Sequence, residues 1–288
     1  MSRRLPPRII DSHFHLFRRA DTPQSGLTAA RVLQRDFRWE DFEAAWDGLP
    51  VDAGVMVQVR DEADGLEEAA EMTRIAAAEA RLAAMVAGNL VEDPARRAEL
   101  DPLAAMPLVR GIRRGTQFHP DPMYLARPEI IAGYQRAGEL GLAAEICVKW
   151  FQLEAAVAFA EALPDLTVVL DHLGKPDMTR DEQPEWRRWM ERLAGLPNVV
   201  VKASVVVQQP DDPPLDRDAA AAIVAETVAL FGWDRVLFAS NWPVSTIVIG
   251  YRDWVETVLD ALDGGSSEQL DRFFALNADR VWRLCEPG

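Results

Sequence analysis

Ile9-Ile10-Asp11-Ser12-His13-Phe14-His15 is an apolar run that ends in two histidines one residue apart. Successive side chains of a strand alternate between faces, so His13 and His15 share a face and can converge on one ion or one substrate oxygen. The chain holds four histidines in all, and two lie here. Outward from this stretch, short β-branched or apolar runs alternate with longer stretches of helical period, the pattern of repeated βα units on a parallel sheet. Eight strands are expected, at about residues 8–14, 53–59, 82–88, 109–113, 142–148, 166–171, 198–203 and 235–240. Apolar residues at i, i+3, i+4 spacing place an outer ring of helices at about 65–80, 128–140, 154–163, 185–193 and 218–231. Eight such units imply a closed (β/α)₈ TIM barrel, and 288 residues suit one undivided domain of that kind.

The alternation is interrupted at about 22–49 by a loop and a helical piece, Trp39 to Trp46, read as a cap-like insertion over the barrel mouth. A second irregular stretch, Gln208 to Pro214, is rich in proline and aspartate and is expected as a rigid polar loop bordering the site. With 46 acidic against 31 basic residues the formal charge is -15, which repels phosphate backbones and anionic lipid alike. Nucleic acid and membrane are therefore not expected as partners; a small-molecule substrate is, with homo-oligomerisation left open. No apolar run is long enough to span a bilayer, and Met1-Ser2-Arg3-Arg4 leads into Pro6-Pro7 where a signal peptide would need a hydrophobic region. A cytoplasmic protein is the expectation. Cys147 and Cys285 show no metal-ligand spacing and are read as reduced thiols.

In a barrel of this kind chemistry sits at the C-terminal strand ends. Those ends carry His13 and His15 on strand one, Gln58 and Arg60 on strand two, and Arg113, Arg114 and Gln117 on strand four. Lys149 follows on strand five, Asp171 and His172 on six, Lys202 and Ser204 on seven, and Asn241 on eight. Three of the four histidines thus fall at strand ends. As neutral imidazoles His13, His15 and His172 can form three legs of a mononuclear divalent site, whose bound water would drop in pKa from ~15.7 towards ~7. The competing reading has them only hydrogen-bonding substrate or core.

Asp11-Ser12-His13-Phe14-His15, Gly111-Ile112-Arg113, Val169-Leu170-Asp171-His172-Leu173-Gly174-Lys175-Pro176, Val201-Lys202-Ala203-Ser204 and Phe238-Ala239-Ser240-Asn241-Trp242-Pro243 together resemble the amidohydrolase superfamily. More closely they resemble its branch of sugar lactonases, of the L-fuconolactone and L-rhamnonolactone type, and of pyrone dicarboxylate lactonase. The resemblance also takes in Leu33-Gln34-Arg35-Asp36-Phe37 and Asn277-Ala278-Asp279-Arg280-Val281-Trp282. It implies an amidohydrolase-type (β/α)₈ barrel that hydrolyses a cyclic ester in carbohydrate metabolism, with one divalent ion, zinc first, or none. Dinuclear members of the superfamily carry a further histidine on strand five, where this chain offers Glu145, Cys147 and Lys149.

Two positions depart from the family pattern. Asn241 stands where an aspartate is usual, and an amide has no basic form near neutrality. The substitution could trap a substrate, the base could have moved to His172 or His15, or the reaction could differ or be absent. Arg114 follows Arg113 where lactonases often have histidine. Arg113 itself keeps the family position, to polarise a lactone carbonyl or hold a carboxylate, against the alternative of an ion pair with Asp171 or Glu145. Lys202 invites the same two readings, and the first, an anion ligand, is preferred.

Gln58 and Gln117 suit sugar-like hydroxyls, Lys149 an anion, and Trp242 with Trp150 an apolar wall for a ring; His119 either reaches over the site or faces solvent. The expected catalytic set is His13, His15, His172, Asn241 and Arg113. Substrate ligands are expected at Gln58, Gln117, His119, Lys149, Lys202 and Trp242, and metal ligands at His13, His15 and His172. The function expected is lactone hydrolysis by water, with a metal-dependent decarboxylase of the same superfamily, or an inactive small-ligand-binding barrel, as the rivals.

Overall fold

Valine-rich runs such as Val168-Val169-Leu170 and Val199-Val200-Val201 suit strands covered on both faces. The computed structural model describes residues 5–21, 29–60, 62–180 and 183–284. Its strands are β1 (Ile9–Phe14), β2 (Val51–Val57), β3 (Leu82–Gly88), β4 (Val109–Gly115), β5 (Ala143–Cys147), β6 (Val168–Leu170), β7 (Val199–Ala203) and β8 (Val236–Phe238). All pair in parallel, in chain order. The sheet closes at its C-terminal end: Phe14 bridges Trp242, the His15 N–H donates to the Trp242 carbonyl at 2.7 Å, and the Asn241 N–H donates to the His13 carbonyl at 2.8 Å. This is the (β/α)₈ barrel that the alternation implies.

The helices are α1 (Trp39–Ala45), α2 (Gly65–Ala76), α3 (Pro94–Arg97), α4 (Leu100–Ala104), α5 (Pro128–Glu139), α6 (Leu153–Ala162), α7 (Pro184–Ala194), α8 (Arg217–Phe231), α9 (Tyr251–Ala261), α10 (Ser267–Asp271) and α11 (Asn277–Trp282). Their ends follow local chemistry. Pro184 opens α7, where its missing N–H costs nothing. Asp216 caps α8 by accepting from the Asp218 and Ala219 N–H groups, both at 3.0 Å, and Gly232 ends that helix with φ 74°.

Two apolar layers result. The outer one lies between strands and helices. The inner one fills the barrel with Ile10, Val55, Val86, Val169, Val200 and Leu237, and Trp282 of α11 packs into it. Gly111 makes room for that plug, since a Cβ there would meet the Trp282 ring at 3.0 Å.

Of the cap-like segment at 22–49, residues 22–28 lie outside the described residues. The rest includes α1, whose Phe42 stacks on Phe14 with ring centroids 4.0 Å apart and lies 5.3 Å from the Trp242 ring. That part therefore covers the outer wall where β1 meets β8. Cys147 is a buried free thiol, and Cys285 lies outside the described residues. No helix among the described residues is long and apolar enough to cross a membrane.

Candidate active site

Period-two alternation decides what faces the barrel axis. Val169 is interior, so Asp171 follows it inward; Val200 is interior, so Lys202 is; and Glu145 follows Ala143. β1 breaks the rule. Ile10 belongs to the inner cluster and Phe14 to the outer one, an even spacing with opposite faces, and the register against β2 shifts between Asp11 and Phe14. The bulge is closed by Asp11, whose Oδ1 accepts from the His13 N–H at 3.1 Å and the Ser240 N–H at 2.9 Å. Bulges re-aim side chains at barrel rims, and this one turns both histidines inward above a strand start that also packs inward.

His13 and His15 are buried, and their Nε2 atoms face each other at 3.2 Å. The His15 Nδ1 meets the Val57 carbonyl at 2.7 Å; a carbonyl only accepts, so Nδ1 carries the proton and Nε2 is a bare acceptor. The His13 Nδ1 faces Asp171 Oδ1 at 3.1 Å, Glu145 Oε1 at 3.6 Å and the Lys202 ammonium at 3.3 Å. Burial holds His13 well below the ordinary imidazole pKa, reinforced by Lys202, and holds His15 down to about 3, reinforced by Arg113. When Asp171 accepts from the His13 Nδ1–H, two neutral, buried acceptors confront each other with no proton between them. That arrangement fits a cation: 3.2 Å lies between the chords of right-angled and tetrahedral pairs, roughly 2.9 and 3.3 Å, for nitrogen at about 2.05 Å from a metal.

His172 stands beside them, its ring centroid 4.7 Å from that of His13, with Nδ1 on the Ser204 hydroxyl at 2.8 Å. Burial keeps it neutral as well. Among the described residues, His13, Asp171 and His172 also present donor atoms within 4.8 Å of one another. Asp171 is therefore a fourth candidate donor, which the sequence reading treated as an ion-pair partner. While it orients the His13 ring, it acts as the carboxylate behind a ligating imidazole.

Beneath the histidines lies a charged layer with no exposure at Glu145, Asp171 or Lys202. Lys202 Nζ donates to Glu145, lies 3.7 Å from Asp171 and 3.3 Å from the His13 Nδ1, and sits 5.0 Å above the Trp282 ring. Burial alone would raise Asp171, but Lys202, His172 and Arg113 outweigh it and hold that carboxyl low; burial and the Asp171 charge push Glu145 up. Lys202 is thus brought under the histidines and not into the mouth where an anionic ligand would meet it. Arg113 bonds Asp171 at 3.3 Å and the Gln58 carbonyl at 2.6 Å, the ion-pair alternative raised for it.

At the mouth, the Asn241 Nδ2 donates to the Val205 carbonyl at 3.0 Å. The buried Lys175 donates to Gln117, and its charge bears on His13 and His172. Lys175 belongs to the run Val169 to Pro176, but nothing in the sequence marks a role for it. Gln58 is buried at the end of β2. Two expected ligands are held elsewhere: His119 stacks on Tyr124 at 3.6 Å and accepts from the Asp121 N–H, while Trp242 packs against Phe37 and Phe42 in the outer aromatic layer. Lys149 lies at the edge of a separate cavity, its Nζ 5.1 Å above the Phe118 ring.

Comparison with known proteins gives the same geometry a lineage. The L-fucono-1,5-lactonase of Burkholderia ambifaria is 27% identical over 289 residues, with 97% of each chain covered. The uncharacterized protein y4mH of Sinorhizobium fredii is 31% identical over 183 residues, a match that spans only 61% of either chain. A solved amidohydrolase from Burkholderia multivorans with bound zinc superposes with a TM-score of 0.83 at 25% identity, over 96% of this chain and 99% of that one. The family model described as amidohydrolase matches residues 10–284, from the strand that carries the facing histidines to the helix that plugs the barrel, and the chain belongs to that family.

Proposed function

We propose that this enzyme opens a small lactone by attack of water on the ester carbonyl at the C-terminal mouth of the barrel. The observation that carries the reading is the pair of facing Nε2 atoms, set in a chain similar along 97% of its length to an L-fucono-1,5-lactonase. A divalent ion, zinc by analogy with the Burkholderia multivorans structure, would be held by Nε2 of His13 and His15; when bound it polarises the carbonyl and lowers the pKa of water.

The chain's own groups do the rest. Asn241 cannot take a proton, so with Nδ2 fixed on Val205 it orients water or substrate through its amide oxygen. Among the three rings, His15 has a carbonyl behind it that locks its tautomer, and His13 has the Asp171 carboxylate with the Lys202 ammonium beside it. His172 has a hydroxyl, which donates or accepts, so His172 can receive the water proton at Nε2 while Nδ1–H turns to Ser204. Lys175 and Arg113 supply positive field for the developing oxyanion, and Asp171 keeps the His13 ring in place. The same reading makes the protein a cytoplasmic enzyme with a small-molecule lactone as substrate.

The test combines elemental analysis of the purified protein with a pH-indicator screen of γ- and δ-lactones. Acid release, with or without added zinc, supports the reading. Stoichiometric metal with no acid from any lactone, and CO₂ release from aromatic acids, would replace it with the decarboxylase alternative.

A further inference from the structure

A cavity of about 390 Å³ opens beside the mouth, between the segments that follow β5, β6 and β7. This is within the ordinary range for a small-molecule site, roughly 300–1,000 Å³. Its walls are mainly Trp150, Phe151, Met178, Val206 and Leu215, with Lys149 at the edge. The carboxylates around it are already engaged. Asp177 accepts from Thr179, Asp212 from the Gln208 and Gln209 N–H groups, and Asp216 caps α8. Among the described residues the Lys149 ammonium meets a ring face and no carboxylate. The space therefore offers apolar surface and one cation.

Its walls are also tied to the catalytic segment. The Trp150 N–H donates to the Lys175 carbonyl at 3.1 Å, and Gln208 Nε2 donates to the Pro176 carbonyl at 3.0 Å. Both anchors follow His172 in the run His172-Leu173-Gly174-Lys175-Pro176, and the Lys175 N–H closes back on the His172 carbonyl at 2.8 Å. Val206 in the wall is two residues from Ser204, which holds His172. A group in the cavity is thus held at a fixed offset from the histidines.

We propose that this cavity is a substrate subsite for an apolar substituent of the lactone, so that the preferred substrate is an alkyl- or aryl-substituted lactone and not a bare sugar lactone. The proposal rests on the lactone-hydrolase reading for its chemistry and on the cavity for its selectivity. Lys149 serves an anionic group at the entrance.

The readout is the ratio of kcat/KM for γ-nonalactone to that for γ-butyrolactone. About fourfold per buried methylene makes the expected ratio a hundredfold or more, falling at least tenfold when Leu215→Trp narrows the cavity. Met178→Trp, at a half-buried wall position, is the second filling variant should the first fold poorly; general damage lowers both substrates and spares the ratio. A wild-type ratio near unity overturns the subsite while lactone hydrolysis stands. If no lactone releases acid, the hydrolase reading fails, and calorimetric titration with 4-phenylbutyrate judges the cavity. Saturable binding lost in Leu215→Trp keeps the apolar subsite, and absent binding overturns it.

Discussion

Asn241 has φ 60°, a left-handed conformation that asparagine tolerates better than most residues. Its Nδ2 is a donor to the Val205 carbonyl. Asn241→Asp exchanges that donor for an oxygen facing an oxygen, so the variant should lose about 1–3 kcal/mol of stability at pH 7, the cost of an unpaired buried acceptor. Urea denaturation measures it, and an unchanged midpoint would remove the Val205 bond from the account. Glu68 titrates with the opposite logic. It is buried, its Oε1 accepts from the Val59 and Arg60 N–H groups, and burial pushes its pKa up to about 7 from an ordinary 4.5. A raised carboxyl pKa means that the folded state keeps a proton that the unfolded state has lost. Its contribution is full below about pH 4.5 and disappears as pH rises to 7. Glu68→Gln, which stays neutral, should therefore match the wild type near pH 4.5 and exceed it by up to about 3 kcal/mol at pH 8. A stability difference independent of pH would show that Glu68 is not protonated in the fold. The histidine pair was legible from spacing alone, because period two puts positions 13 and 15 on one face. Which nitrogen of each ring stays bare was not, since that depends on Val57 and Asp171, distant in sequence.

At the level of the strands, the inward columns explain both the chemistry and its support. Val169 to Asp171, Val200 to Lys202 and Ala143 to Glu145 each pass from apolar to charged as the strand rises, so the charged layer was readable once the strands were placed. The expectation of an anionic ligand at Lys202 fails because a strand end says nothing of depth. In the fold Lys202 is fully buried between Glu145 and Asp171. The bulge at Asp11 was illegible for a different reason: beside the local His13 N–H, it is held by the Ser240 N–H across the seam. Removing one partner of a buried ionic group leaves the others uncompensated, at about 3–5 kcal/mol. Lys202→Ala should cost that much in guanidinium unfolding, and Lys202→Met combined with Glu145→Gln should recover part of it. Equal losses in the single and double variants would mean that packing, not charge, sets the cost.

Across the whole molecule the barrel is held at two ends by different means. At the mouth, closure relies on the backbone bonds of His13 and His15 to Asn241 and Trp242, so the seam of the fold runs through three residues of the candidate site. At the other end the closing element is Trp282, buried against the inner cluster and lying under Lys202. The plug thus touches the charged layer that supports the histidines. The eight-unit alternation was enough to read the barrel, but the plug was not visible in it, because α11 follows the last strand and its partners, Gly111 among them, come from early strands. Trp282→Ala removes a fully buried side chain from the axis, and about 3–5 kcal/mol is the usual cost of such a cavity. For a chain of this length that corresponds to a fall in Tm of about 5–15 °C. Because the plug bears on strands from around the barrel, far-UV circular dichroism and tryptophan fluorescence should lose their signals together in the wild type. Separate transitions in the variant alone would show that Trp282 couples the two ends; separate transitions in the wild type would show that the C-terminal helices melt as a unit of their own and that the barrel stands without them.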